Sequence, residues 1–279
     1  MATNRLTEIR AAFAAQLAQE SGIDDPRLID AFATVPREDF LRPGPWHILR
    51  EEGYVIAPGD DPALVYVNAC VALDPARGIN NGEPGLHIGL IAQLAPQPGD
   101  HVVQIGVGGG YYTAIIARLV RPGGRVTAIE YDPGLAQLAA ANLADTPALT
   151  VICADGTGYD FAPADGIYVN AGATRPIRAW LERLTLGGRL VMMLTTDDSW
   201  GRILKVTRTE PGYEAALLGP CGFIPCVNGR DAASEASLAA ALAAGDEDSV
   251  RSLRTDMHIA DESCWMHSDG ACLSRRRLN

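Results

Sequence analysis

The run Val102-Val103-Gln104-Ile105 stops at Gly106-Val107-Gly108-Gly109-Gly110, and Thr113-Ala114-Ile115-Ile116-Ala117-Arg118-Leu119 follows. A β-branched run, glycines at every second position and then helix-forming residues read as a strand, a tight turn and a helix start. This unit constrains the fold more than any other stretch, because α/β proteins use it to hold a nucleotide-like cofactor at the carboxyl edge of a sheet. Glycine at 106, 108 and 110 keeps side chains out of a ligand's way and permits positive φ.

The downstream sequence repeats the alternation. Arg125-Val126-Thr127-Ala128-Ile129-Glu130 is a second strand, ending in an acid 20 residues after Gly110. An acid so placed is positioned to accept from ribose hydroxyls. A helix is predicted over Pro133 to Leu143, and Leu149 to Gly156 reads as a third strand ending in Asp155-Gly156, where a carboxylate can accept from an adenine amino group. After Asp165 come the strand Gly166 to Ala171, a helix Ile177 to Leu184, a Leu186-Gly187-Gly188 turn and the strand Arg189 to Leu194. Apolar strands alternating with helices at this interval mean a mostly parallel, doubly wound α/β sheet with right-handed crossovers.

The glycine spacing narrows the cofactor. A dinucleotide turn reads G-x-G-x-x-G and seats a pyrophosphate. Here the third glycine comes one residue early, and G-x-G-x-G resembles motif I of class I S-adenosylmethionine (SAM) methyltransferases, whose cofactor carries no phosphate. That resemblance implies a Rossmann-like fold and SAM contacts at Gln104, Gly106, Gly108, Gly110, Glu130, Asp155 and Gly156.

Further segments carry a narrower likeness. Arg27-Leu28-Ile29-Asp30-Ala31-Phe32 and Val35-Pro36-Arg37-Glu38-Asp39-Phe40 resemble the N-terminal signature of protein-L-isoaspartate O-methyltransferases. So do Gln104 to Thr113, Ala154-Asp155-Gly156-Thr157 and Leu184 to Val191, while Gly222-Phe223-Ile224-Pro225 is similar to the family's closing strand. The likeness runs from about residue 25 to 230 and implies a SAM-dependent O-methyltransferase acting on a carboxylate of a protein or peptide, possible isoaspartyl peptides included.

One departure stands out. The family has Thr-Ile-Ser-Gln-Pro before motif I, with its serine beside the isoaspartyl carboxylate. The same slot here is Asn80-Asn81-Gly82-Glu83-Pro84. Glycine replaces the serine, glutamate the glutamine, and Gln104 stands where the family usually has an acid. Asn81, Gly82 and Glu83 are therefore the candidate catalytic residues. A carboxylate is already ionised at neutral pH and needs no base, so in-line methyl transfer to it rests on alignment and desolvation. An amine or phenol needs a proton acceptor, for which Glu83 is the natural candidate. Beside a substrate carboxylate, Glu83 would repel it by about 4 kcal/mol at 4 Å and an effective dielectric of 20. It must then point away, pair with a cation such as Arg77, or serve a different substrate. A surface acid before a proline is the plain alternative. Asn80 and Asn81 are turn formers first, and His87, on the first turn of a Leu86 to Leu94 helix, is as readily a capping or packing residue as a catalytic one.

Three functions stay open on these residues: the carboxylate methyltransferase, a methyltransferase of a small molecule or amine with Glu83 as base, and a non-catalytic SAM-binding module. With 279 residues and 47% hydrophobic content the chain can form one large domain and an appendage. A net charge of −11 argues against a nucleic-acid partner, and Arg275-Arg276-Arg277 reads as a solvated tail. No stretch reaches membrane-spanning length and no signal peptide is evident. Six scattered cysteines suit a reducing cytoplasm, with Cys153 in a buried strand. The expected organisation is a methyltransferase domain over 1–230, with N-terminal helices over 1–45 and a substrate-side loop region over 46–84, then an extension over 231–279. Leu6, Ile9, Phe13 and Leu17 mark an amphipathic helix from Asn4 to Ser21 that packs on the sheet domain and ends at Gly22. In the extension, Ser234 to Ala244 and Ser249 to Thr255 read as helices. His258, Cys264, His267 and Cys272 have no paired Cys-x-x-Cys or His-x₃-His spacing, so no metal is expected. A hairpin at Asp269-Gly270, anchored to the main domain by Trp265, is expected instead.

Overall fold

The computed structural model describes residues 2–278. They form two compact units, Met1–Gly99 with Val107–Cys153, and Asp100–Gly106 with Ala154–Asn279.

The first unit opens with α1 (Ala2–Ser21) and α2 (Pro26–Thr34). Gly22 at φ +64° ends α1, and Asp25 caps α2 by accepting from the Arg27 N–H, with Pro26 in the first turn. Phe13, Ala14, Leu17 and Ala18 of α1 are buried. The helix packs on α2 and on α3 (Pro84–Leu94), so its apolar stripe meets other helices. Between them lie the hairpin β1 (His47–Arg50) and β2 (Gly53–Ile56) and the short pair β3 (Ala72–Asp74) and β4 (Ile79–Asn80). β5 (His101–Ile105) belongs to the second unit. The first resumes with α4 (Tyr111–Leu119), β6 (Arg125–Glu130), α5 (Pro133–Asn142) and β7 (Leu149–Cys153). β6 and β7 run parallel, from Val126 opposite Leu149 to Glu130 opposite Cys153. β7 is an edge strand, which leaves Cys153 exposed instead of buried.

The second unit adds to β5 the strand β8 (Ala164–Ala173), α6 (Arg178–Arg183), β9 (Leu184–Thr195), β10 (Trp200–Thr209), β11 (Gly212–Gly222), α7 (Ala232–Ala244), β12 (Ser252–Arg254), β13 (Cys264–Ser268) and β14 (Ala271–Ser274). Its strands lie in the order β5-β8-β9-β10-β11-β12-β14-β13. β5, β8 and β9 are parallel. From β9 onward every pairing is antiparallel, so the sheet is mixed. The reason is connection length: the links from β9 to β10 and β10 to β11 are too short for a crossover and close only as hairpins. Ile167, Tyr168 and Val169 of β8 and Leu190 to Leu194 of β9 are fully buried, as strands covered on both faces must be.

Two local expectations fail on tertiary grounds. Leu186-Gly187-Gly188 is a bulge within β9, where the register jumps from Ala164 opposite Leu184 to Gly166 opposite Arg189 and Gly187 takes φ +79°. The helix expected over Ser249 to Thr255 is instead the strand β12, because β11 and β14 offer it edges on both sides. The Asp269-Gly270 hairpin forms as expected, and buried Trp265 donates to the Gly245 carbonyl at 2.8 Å. No helix among the described residues is long and apolar enough to cross a membrane.

Candidate active site

The glycine turn adopts the backbone its composition anticipates. Gly106, Gly108 and Gly110 have φ of +79°, +59° and +94°. The space around them, however, is filled by the protein itself. A β-carbon on Gly109 would meet the Phe40 carbonyl oxygen at 2.2 Å, one on Gly110 would meet Leu143 Cδ1 at 2.8 Å, and one on Gly106 would meet the Asn170 carbonyl oxygen at 3.0 Å. Close packing of neighbouring segments demands these glycines before any ligand does.

Glu130, at the end of β6, is buried, with its carboxylate turned into that loop. Oε2 accepts from the N–H groups of Val107 (2.8 Å) and Gly108 (2.9 Å), and Oε1 from the Asp132 N–H at 3.0 Å. Orphan loop donors are thus gathered on one anion, a charge-assisted arrangement. An ionised carboxylate offers about four acceptor sites, and three backbone N–H groups leave one of them open on Oε1. Asp132 caps α5 and pairs with Arg77 at 2.7 Å, which takes Arg77 away from any pairing with Glu83.

The candidate substrate segment is organised by a residue that sequence reasoning missed. Arg37 is fully buried. Its Nη1 donates to the carbonyls of Val65 (2.6 Å) and Val67 (2.9 Å), and its Nη2 to Ala69 O (2.7 Å), Asn81 Oδ1 (3.1 Å) and Gly82 O (3.4 Å). Asn81 is itself buried, its Oδ1 also accepting from Val71 N at 3.1 Å, so its present contacts hold the loop together. Gly82 has φ +77°, and a β-carbon on it would lie 2.1 Å from His87 Nε2. The His87 ring therefore occupies the space that a serine side chain at position 82 would need. That ring is wholly buried and stacks on Tyr112, with centroids 3.7 Å apart and planes 7° from parallel. Tyr112 in turn donates to Gly82 O at 3.2 Å. Burial, reinforced by the Arg37 charge, pushes the His87 pKa down to about 3. Glu83 is exposed and starts α3 without a side-chain cap.

In the second unit, Asp155 follows the third predicted strand. Its Oδ1 accepts from the Thr157 N–H (2.9 Å) and hydroxyl (2.7 Å), and its Oδ2 from Asn228 Nδ2 at 2.8 Å. Burial would raise this carboxyl, but the bonds from Thr157 and Asn228 prevail and hold it below the usual range. Gly156 is required by Ile105, whose Cγ2 would lie 2.5 Å from an added β-carbon, and its carbonyl accepts from the buried Trp180 indole at 2.8 Å. Gln104 is fully buried in β5, with its Nε2 3.3 Å from Gly106 O.

A strand, a positive-φ glycine turn and a helix, with an acid closing the next strand onto that turn, define a class I SAM-dependent methyltransferase. A family model described as Protein-L-isoaspartate(D-aspartate) O-methyltransferase matches residues 9–231. The chain belongs to the protein-L-isoaspartate O-methyltransferase family, whose members are SAM-dependent protein carboxyl methyltransferases. It is 33% identical over 207 residues to the protein-L-isoaspartate O-methyltransferase of Methanopyrus kandleri, covering 72% of this chain and 83% of the relative. With that of Ignicoccus hospitalis it shares 37% identity over 215 residues, 76% of this chain and 93% of the relative. Among solved structures, a protein-L-isoaspartate O-methyltransferase aligns with TM-score 0.66 and 22% identity, over 77% of this chain and 65% of that one. A Plasmodium falciparum structure described under the same family name, in complex with S-adenosyl-L-homocysteine, aligns with TM-score 0.63 and 16% identity over 78% and 97%. These two support the fold.

Proposed function

We propose that the chain methylates a carboxylate carried by a protein or peptide, and that Gly82 and His87 reshape the recognition of that carboxylate relative to isoaspartyl-repair enzymes. The observation that carries this reading is the His87 ring in the serine slot. A histidine held neutral down to about pH 3 by burial and the Arg37 charge is a poor general base. Glu83 is exposed. The reading therefore favours an acceptor that arrives already ionised.

SAM supplies an electrophilic methyl group, which a carboxylate oxygen takes in line to leave a methyl ester and a thioether. The chemistry of the residues suits that cofactor, each within its own unit: Glu130 of the first keeps an acceptor site suited to a ribose hydroxyl, and Asp155 of the second, held ionised and with one bond on Oδ2, can accept from an adenine amino group. Gln104, Gly106, Gly108, Gly110 and Gly156 are the backbone positions offered to it, and Asn81, Gly82 and Glu83 are the substrate-side candidates, with Glu83 exposed and so able to point away from a substrate carboxylate. All six cysteines are free thiols, which supports a cytoplasmic setting.

The test is incubation with labelled SAM and an isoaspartyl peptide beside its aspartyl control. Base-labile label on the isoaspartyl peptide alone establishes the family's repair activity. Label on neither, with base-labile label on another protein or peptide, establishes a private substrate. Label that resists base refutes carboxylate methylation.

A further inference from the structure

The C-terminal hairpin places together four side chains that are scattered in sequence. One ligand atom each from His258, Cys264, His267 and Cys272 lies within 4.8 Å of all the others. Cys264 Sγ is 3.5 Å from His258 Nε2, 3.8 Å from His267 Nδ1 and 2.9 Å from Cys272 Sγ, the cysteines being free. A tetrahedral zinc with metal–sulfur bonds of about 2.3 Å and metal–nitrogen bonds of about 2.0 Å separates its ligand atoms by about 3.3–3.8 Å. Of the three distances to Cys264 Sγ, the two to imidazole nitrogens already match that spacing and the sulfur pair would have to open by about 1 Å; the remaining separations, all within 4.8 Å, need at most about 1.5 Å of closure. From these atoms we infer that the hairpin is a structural zinc site of the two-thiolate, two-imidazole kind.

The backbone explains how an irregular spacing produces such a cluster. Along a regular strand, Cys264 and His267 would point to opposite faces, because side chains alternate. The β13–β14 register slips between them: Cys264 lies opposite Ser274, whereas Met266 lies opposite Leu273 and His267 opposite Cys272. The bulge inserts one residue, which restores Cys264 to the face shared by His267 and Cys272. A motif search that assumes Cys-x-x-Cys pairs cannot see this. The ligands follow from a defect in the ladder.

His258 reaches the same point from a loop, against the apolar tendency of its surroundings. Its neighbours Met257 and Ile259 are 92% and 90% exposed, while its own side chain is 12% exposed. No apolar face pulls it inward; polar contacts do. Its Nδ1 lies 2.9 Å from the Asp256 carbonyl, which fixes the proton on Nδ1 and leaves the Nε2 lone pair directed at Cys264. This is the outer contact that orients metal-binding imidazoles. Arg254, opposite Cys272 in the β12–β14 register, has a buried Nη1 without a hydrogen-bond partner, a charge suited to a thiolate neighbour. Asp261 Oδ1 is 4.0 Å from Cys264 Sγ, but it is already bound to Ser263 and stands outside the ligand set. Two thiolates and two neutral imidazoles neutralise Zn²⁺, and binding releases the thiol protons. The ion would tie the His258 loop to a hairpin that Ser237 of α7 already grips through the His267 carbonyl at 2.7 Å.

The test uses the full chain, purified under reducing conditions and loaded with Zn²⁺ alone. Metal analysis after dialysis should give about one zinc per chain, and Co²⁺ in its place should give tetrahedral visible bands with thiolate charge transfer. Cys264→Ser and His258→Gln should each lose the metal, whereas Cys153→Ser keeps it. Chelation of the wild-type protein should lower its melting temperature, a result that stands even if Cys264→Ser fails to fold. No retained zinc with both thiols reactive would overturn the proposal. So would a Cys264–Cys272 disulfide in protein purified without oxygen, octahedral Co²⁺ bands, or binding of Cu⁺ with no affinity for Zn²⁺.

Discussion

Two loops of the first unit are held by opposite electrostatic devices. The glycine turn presents N–H groups, and the buried anion Glu130 gathers those of Val107 and Gly108. The segment before α3 presents carbonyls, and the buried cation Arg37 gathers those of Val65, Val67, Ala69 and Gly82. The contrast teaches what each loop is free to change. Anchoring by main-chain groups leaves side-chain identity unconstrained. At the glycine turn, positive φ and the close approach of Phe40 and Leu143 still forbid substitution. At 80–83 the Arg37 clamp takes the Gly82 carbonyl as well as the Asn81 side chain, so the loop stays anchored with glycine at position 82, while Asn81 and the glycine itself are constrained.

The largest effect should follow removal of the clamp. Arg37→Met orphans the carbonyls of Val65 and Ala69 and removes one of the bonds to Val67, which keeps the Ala69 N–H, and to Asn81. At about 1 kcal/mol or more per orphaned acceptor, a loss of about 3–5 kcal/mol is expected in urea unfolding. A loss under about 1 kcal/mol would mean that water replaces the guanidinium and that the cation half of the contrast is incorrect. Gly82→Ser comes next. Its β-carbon collides with His87 and its φ is positive, so about 2–3 kcal/mol of stability should be lost. Coupling it to His87→Ala should recover about 1 kcal/mol or more of that. Additive losses in the double-mutant cycle would show that the two residues do not compete for one space.

Cofactor affinity probes the anion side. Asp155→Ala removes an ionised acceptor worth about 1.5–3 kcal/mol, so SAM binding measured by calorimetry should weaken more than about tenfold. Glu130→Gln should weaken it comparably and also loosen the turn, because an amide cannot accept at both ends. An unchanged affinity in either variant removes that residue from the proposed cofactor set.

The cofactor half was legible because its chemistry is written in the backbone. Glycines at 106, 108 and 110 announce positive φ, and the strand β6 matches the expected Arg125 to Glu130 run residue for residue. What stayed hidden depends on partners remote in sequence. An acid at the end of β6 suggests a ribose acceptor, but nothing in the sequence indicates that Glu130 binds the N–H groups of the turn. Arg37 lies within the Val35 to Phe40 signature, but nothing in a lone arginine predicts that it will be buried among carbonyls. Leu186-Gly187-Gly188 reads as a turn until β8 supplies a partner to bulge against. From sequence His87 suits packing and catalysis equally, and only its distance from Gly82 shows which side chain fills the missing serine's place.

The smallest effect discriminates best between a fixed loop and an adaptable one. Burial and the nearby Arg37 charge lower the His87 pKa from 6.5 to about 3. Between those values the unfolded chain binds a proton at this residue that the native chain refuses. The stability from keeping His87 neutral is therefore complete above pH 6.5 and is lost as pH falls toward 3, by up to about 1.4 kcal/mol per unit. His87→Phe keeps an aromatic ring against Tyr112 but cannot titrate. Its stability should fall less steeply than that of the wild type from pH 6.5 to 5, with the two profiles parallel above 7. Parallel profiles throughout would mean that the native loop opens to admit the proton, and the Arg37 clamp would then be looser than the Glu130 turn to which it is compared.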